Sequence, residues 1–402
     1  VWLERRGSAM MQDRLGPNRC NVFGVKLGGV IQSIADVVKF VFKEEYLPGH
    51  ITHKNIYLIA PIIVFATAYL TFSVMPLADS ITIGDKIFVM QAMPYQMSVL
   101  WILAFAGLSV YGIILAGWSS HNKYGLLGGI RASAQVVSYE ASLTLTLITM
   151  IVIYGSVNLN DMVHYQGELF FGFIPKWGVV MQPLAALIFI IVALAETNRA
   201  PFDTAEGESE IVAGYHTEYG AMRFATFMLG EYLAMASMSA LIITVFFGGY
   251  QLPWLNTETL RENISQVSIA IMIIVPVLTL LFLNWARKNV GIGSTLNGKY
   301  AHTEIKALTI LCLIVIVATL AIFGYAFIGE LSNLKAQALT AVIQVGVFTL
   351  KFFAMTFVFV WVRWTLPRIR YDQLQMLGWK VLLPLSLLNI LVTALVVVFI
   401  GG

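Results

Sequence analysis

Apolar residues run along the chain in nine stretches, at 55–78, 96–118, 133–155, 179–196, 222–247, 267–286, 306–328, 340–364 and 380–400. Each approaches the ~20 residues with which a helix rising ~1.5 Å per residue crosses ~30 Å of hydrocarbon. The pattern predicts an all-α polytopic membrane protein with about nine transmembrane helices. Ahead of them, Leu27, Val30, Ile31, Ile34, Val37, Val38, Val41 and Phe42 recur at spacings of three and four, with Gln32, Ser33, Asp36, Lys39 and Lys43 opposite. That is one apolar helix face with a charged back. It is expected to lie in the membrane interface rather than to cross it, or, more plainly, to cover a neighbouring helix. The run GPNR at 16–19 reads as a loop. Val1–Leu3 reads as the tail of a further span that precedes the sequence.

Four segments follow from this pattern. Residues 1–54 are a basic segment carrying the interfacial helix, and 55–249 are core spans interrupted by an acidic loop at 197–223. Residues 250–339 hold two spans of low charge, and 340–402 hold two C-terminal spans joined by a basic loop. The glycine-rich run from Gly291 is no dinucleotide fingerprint, because Leu296 stands where the third glycine belongs and no strand precedes it.

Charge adds a direction. Alternating the spans puts 1–54, 119–132, 197–223, 287–306 and 363–380 on one side of the membrane. All 25 Lys and Arg lie there except Lys86, Lys176, Arg261, Lys335 and Lys351, the last inside a span. The positive-inside rule makes that side cytoplasmic. With only Cys20 and Cys312, the chain has neither a disulfide framework nor a thiolate set for zinc or an iron–sulfur cluster. Nothing in it points to nucleic acid.

The candidate chemistry is acidic. The stretch ETNRAPFDTAEGESEIVAGYHTEYGAMR (196–223) carries Glu196, Asp203, Glu206, Glu208, Glu210 and Glu218, out of 22 acids in the whole chain. Pro201 should end the preceding span, since it lacks the helical N–H donor and disfavours helix at Ala200. If TAEGESEIVAGY is helical, Glu206 and Glu210 share a face. Carboxylates so close cannot all ionise cheaply and can store and pass protons; an acidic surface that docks a basic partner is the alternative. Glu140, Glu196, Glu231 and Lys351 stand within or at the end of spans. A charge at the bilayer centre costs at least ~2.5–3.5 kcal/mol, so each is a functional candidate. Two structural readings compete: a Glu231–Lys351 pair between helices, and a Glu196 that snorkels outward.

At these residues a resemblance enters. AETNRAPFDTAEGESEIVAGYHTEYGAMRF (195–224) is similar to the signature of one membrane-subunit family of respiratory complex I, the proton-pumping NADH:quinone oxidoreductase. In bacteria this is the H subunit, and subunit one is its mitochondrial counterpart. DRLGPNR (13–19), SIADVVKFVFKEE (33–45), LLGGIRASAQVVSYE (126–140) and RIRYDQLQMLGWKVLLPLSLLN (368–389) resemble the same family, in the family's order. The resemblance implies a proton path through Glu140, Glu196, Asp203, Glu206, Glu208, Glu210, Glu218 and Glu231. It implies a quinone chamber lined by Arg19, Asp36, Lys39, Arg199, Arg370 and Asp372. Quinone would be the substrate, with no cofactor on this chain and FMN and iron–sulfur clusters in partner subunits. Hydrophilic subunits would lie above, small membrane subunits beside, and lipid around, in a bacterial inner membrane. Family members usually join the Glu231 and Lys351 spans by a short connection, so 250–339 reads as an inserted pair. The homologous membrane subunit of an energy-converting hydrogenase and a stand-alone secondary transporter remain alternatives; the transporter would show paired broken helices, and only one break is evident.

Overall fold

The computed structural model describes residues 1–14, 16–17, 19–22, 27–170, 172–205, 207–288, 301–327 and 332–401. Helices α1 (Trp2–Met11), α2 (Val30–Phe42), α3 (Lys54–Ser73), α4 (Ser98–Ser119), α5 (Lys123–Tyr154), α6 (Leu159–Gln166), α7 (Gly178–Met181) and α8 (Pro183–Glu196) make up the first half. Then come α9 (Glu208–Ile211), α10 (Ala221–Phe246), α11 (Thr257–Glu262), α12 (Ile264–Lys288), α13 (Ala301–Gly324), α14 (Asn333–Thr365), α15 (Tyr371–Met376) and α16 (Leu383–Gly401). Among the described residues, the only paired strands form two short hairpins, Ile81–Ile83 with Lys86–Phe88 and Leu169–Phe170 with Ile174–Pro175. The protein is an all-α polytopic membrane protein.

Every expected span has a helix, with one change of kind. Eight helical segments among the described residues are long and apolar enough to cross a membrane, while the expected span at 179–196 is broken. Gln182 leaves helical geometry between α7 and α8, and Pro183 opens α8 at a position where a missing N–H costs nothing. The 14 residues of α8 extend only ~21 Å at ~1.5 Å per residue. Conversely, the loop expected at 119–132 is mostly helix. Asn122 caps α5 by accepting the Tyr124 backbone N–H at 2.9 Å, so its 32 residues reach ~48 Å, beyond the hydrocarbon. The amphipathic helix is present as α2, begins after a left-handed Gly28, and buries none of its residues.

The chain forms two compact units. The first comprises Val1–Lys39, Ser80–Phe88 and Thr257–Ile343. In it α12 packs along α13, both helices turn aliphatic side chains such as Leu281 and Val317 outward, and Gln337 accepts the Thr82 N–H at 2.8 Å. The second comprises Phe40–Asp79, Val89–Asn256 and Gln344–Gly402, so α14 contributes to both. In this second unit α5 is central, flanked by α4, α8 and α16, and α3 lies against α4 and α10. Its core gathers Tyr139, Leu143, Leu147, Met150, Phe189, Val192, Ile242 and Phe246.

Glycines set how closely α5 is approached. A Cβ on Gly117 would lie 2.6 Å from the Gly125 carbonyl, and one on Gly128 would lie 2.6 Å from the Gly214 Cα. The second contact seats the acidic loop on α5, and it is backbone against backbone. Gly128→Val should therefore destabilise the protein by about 1–3 kcal/mol and speed proteolysis of the 207–220 loop. An unchanged melting temperature and cleavage rate would show that the loop does not sit there.

Candidate functional site

The site is built where α8 ends. Glu196 closes its last turn, and Pro201 bars the helix from continuing. The departing chain is tied to α5 by Gln135, which is fully buried. Its Nε2 donates to the Ala195 carbonyl at 2.7 Å and the Phe202 carbonyl at 2.8 Å, and its Oε1 accepts from the Thr204 hydroxyl at 2.5 Å. From the other side the Ile369 N–H donates to the Pro201 carbonyl, and Arg368 donates to that of Asp203. Further along, Gly207 is left-handed and Val212 has φ 65°. The helix considered through 204–215 is thus, among the described residues, reduced to α9 and a single 3-10 turn at Gly214–His216. Glu206 and the side chain of Glu208 lie outside the described residues.

That turn places Tyr215 against α10. Its hydroxyl donates to Glu231 Oε1 at 2.9 Å, while Arg199 Nη2 stands 3.5 Å from Glu231 Oε2 and the guanidinium lies 4.4 Å from the Tyr232 ring. Glu196 and Glu231 both line a cavity of about 60 Å³ in the second unit. Thr67, Thr71, Ser109, Asn198, Tyr215 and Ser237 share its wall. Val64, Ala68, Phe105, Ala106, Ile113 and Met238 make up the larger, apolar part of that wall, and a space of that size has room for roughly two to four waters beside the polar groups. Glu196 is buried rather than snorkelling outward, and its Oε2 accepts no hydrogen bond from the described residues. Glu140, on α5, is close enough to interact electrostatically with Glu196. Gly107 on α4 makes room for it, since a Cβ there would come 2.7 Å from Glu140 Oε1.

His216 is part of this cluster and uncharged. Burial, reinforced by the Arg199 charge, pushes its imidazole down to about 3. Its Nε2 therefore approaches Glu231 Oε1, at 3.8 Å, as a neutral ring near neutral pH.

The other acids have separate surroundings. Arg131 holds Glu210 at 2.6 Å, and this hydrogen bond keeps the Glu210 carboxyl below its ordinary range, ionised and anchored. Glu218 accepts from Asn122 Nδ2 at 2.7 Å, and its own carbonyl accepts from the Tyr57 hydroxyl at 2.6 Å. Asp203 is half-buried. Of the residues assigned to quinone, Arg19, Asp36 and Lys39 belong to the first unit. Arg19 and Lys39 are exposed, and Asp36 is paired with Arg5 at 2.5 Å. In the second unit Arg199 is buried beside Glu231, whereas Arg370 and Asp372 are exposed and face each other at 3.2 Å. The competing structural reading, a Glu231–Lys351 pair, is not what forms. Lys351 spends its ammonium on the carbonyls of Phe247, Gly249 and Gln251 at 2.8, 3.0 and 2.7 Å, beyond the end of α10.

Gln135, Tyr215, Tyr232 and Arg131 carry this geometry and escape notice in the sequence. Gln135 alone leaves a signal there, because an amide inside an apolar span is costly unless bonded. Among the described residues, no group of three or more His, Cys, Asp or Glu is placed to hold a metal ion.

Residues 1–292 and 295–394 match the family described as NADH dehydrogenase. The chain belongs to this family. It is similar to the H subunit of NADH-quinone oxidoreductase from Bdellovibrio bacteriovorus, at 38% identity over 99% of this chain and 91% of that protein. The protein of the same name from Salinibacter ruber is 37% identical over 100% of this chain and 92% of its own length. That of Flavobacterium psychrophilum is 34% identical over 98% and 90%. The family match thus runs through the greater part of 250–339, the pair of spans that the sequence set apart.

Two consequences can be measured on this family member. Gln135→Leu strands two carbonyls and a hydroxyl, each worth about 1–3 kcal/mol when buried without a partner. Thermal unfolding should therefore show a large loss and hydrogen exchange should rise at 195–204; an unchanged melting temperature would refute the tie. For His216, the unfolded chain takes up a proton below about 6.5 and the folded one only near 3. Its contribution is complete above 6.5 and is lost as pH falls toward 3. His216→Gln should flatten that part of the stability profile, and an unaltered profile would show that the ring does not stay neutral.

Proposed function

We propose that this chain is the membrane subunit in which an NADH:quinone oxidoreductase couples quinone reduction to proton translocation. The observation that carries the reading is the shared cavity: two carboxylates, Glu196 and Glu231, border one mainly apolar space within a helical bundle, with hydroxyl and amide groups set in its wall. Full-length similarity to proteins named as the H subunit of NADH-quinone oxidoreductase supplies the reaction.

Quinone takes two electrons and two protons to become quinol. The electrons come from NADH by way of FMN and iron–sulfur clusters in hydrophilic partner subunits; this chain contributes walls and charges. Arg19, Asp36 and Lys39, and separately Arg199, Arg370 and Asp372, are assigned to quinone contact on the resemblance alone. A change of charge on the head group is felt strongly in a low-dielectric bundle, and it redistributes protons over the coupled acids. Glu140, Glu196 and Glu231 are the carriers, with waters in the cavity relaying between Glu196 and Glu231. Asp203, Glu206, Glu208 and Glu218 extend the path along the loop, and Glu210, tied to Arg131, anchors it. The Lys and Arg bias favours loops 1–54, 119–132, 197–223, 287–306 and 363–380 on the cytoplasmic side, and the bacterial relatives favour the inner membrane. Residues 1–54 serve as the quinone-entrance segment, 55–249 as the coupling core, 250–339 as a peripheral lipid-facing pair and 340–402 as the closing spans.

In the assembled complex sealed into vesicles, Glu196→Gln and Glu231→Gln should each lower quinone-dependent proton pumping by roughly 10²-fold, as removal of a proton-transfer group does. Wild-type pumping and quinone reduction in both variants would sink the reading.

A further inference from the structure

We propose that His50 and His121 form a proton-collecting site that loads Glu218 from bulk water. The inference rests on the coupling function above and adds where its protons enter. Outside the Glu196–Glu231 cavity, the second unit has an open cleft of about 490 Å³ lined by His50, His121, Asn122, Lys123, Tyr124 and Glu218. It is where an acid of the 197–223 loop meets histidines, the side chain that most readily exchanges a proton near neutral pH.

The contacts suit transfer. His50 Nε2 is 3.2 Å from the Ser120 carbonyl and 3.8 Å from Glu218 Oε2, too far for a direct hydrogen bond but a gap that a small side-chain rotation closes or opens to a bridging water. His121 Nε2 is 2.6 Å from the Thr52 hydroxyl. Behind them His53 stacks on Trp118 at 5.0 Å and on His121 at 6.1 Å, so the His121 ring is held rather than waving in solvent. Half of the His50 side chain is exposed against 20% of Glu218, which makes the imidazole the outer member of the pair. Asn122 donates to Glu218 Oε1 and leaves Oε2 toward His50. Among the described residues, the other charged and titratable groups nearby are Lys123 and Tyr124 on the cleft wall, the Arg223–Glu45 pair at 3.0 Å, and the stacked Tyr57 and Tyr219.

The step balances without electrons. Hydronium or a buffer acid gives its proton to the second nitrogen of His50. The imidazolium releases the Nε2 proton through water to Glu218, and the ring returns to neutral as the other tautomer. One proton has moved from solution to the carboxylate. His121 serves the same cleft as a second acceptor.

The test uses the assembled complex in vesicles with His50→Gln/His121→Gln, and the single variants where the double one does not assemble. At alkaline pH and millimolar buffer, coupled turnover should fall roughly three- to ten-fold, the scale of a lost proton-transfer group that water partly replaces. Added imidazole should restore it, and Glu218→Gln should remove that response. No buffer-dependent defect, or a defect that imidazole does not relieve, overturns the collector. Glu196→Gln and Glu231→Gln are run alongside: if both pump normally the coupling reading fails and the collector falls with it, and if either does not, a negative histidine result counts against the collector alone.

Discussion

An irregular, polar loop is held against α5 at the end of an apolar bundle, and that placement is permitted only if the backbone groups it strands find partners. Gln135 satisfies two of them at once, the Ala195 carbonyl in the last turn of α8 and the Phe202 carbonyl, and also accepts from the Thr204 hydroxyl. Each such group costs about 1–3 kcal/mol when buried without a partner. A domain's whole stability is only about 5–15 kcal/mol, so the amide on α5 is a large contributor to the docking that Ile369, Arg368 and Arg131 also support. Gly128 completes the arrangement, because only a residue without Cβ lets the Gly214 backbone come so near.

Docking then sorts the acids by environment. Glu210 faces Arg131 at the surface and is held as an anion. Glu231 receives a hydroxyl and stands near a guanidinium that is itself stacked on Tyr232. Removing one member of so buried a pair is far costlier than the pair's net worth, which makes the cluster a well-defined resting arrangement. Glu196 has room for water at one side and a second acid, Glu140, within electrostatic reach. Carboxylates of one chemical type are thereby given different affinities for a proton, which is the requirement for passing one in a direction.

The opposite end of α10 is fixed by different means. Lys351 satisfies three carbonyls just past the helix, with its charge 4.7 Å from the Trp177 ring. An intramembrane charge in this protein is thus not by itself a mark of proton chemistry; the partners decide. α12 and α13 present aliphatic side chains outward over most of their length, as lipid-facing helices do.

Much of this was legible in the chain itself. Apolar run length determined the class and the place of every spanning helix, since a continuous apolar run of about 20 residues satisfies its own backbone in hydrocarbon only as a helix, whereas barrel strands are about half as long. The acid-rich stretch, the break at Pro201 and the amphipathic pattern of α2 are equally local facts. What needed the fold were relations between distant residues: the split of the fourth span at Gln182, the bonds of Gln135 across 60 residues or more, and the carbonyls that take Lys351 from Glu231. Periodicity reports which face is apolar, not which partner a polar side chain reaches. The grouping of Glu196 with Glu231 about one cavity was decided only by packing, because it depends on the approach of α3, α4 and α10 and on a turn that seats Tyr215 between them.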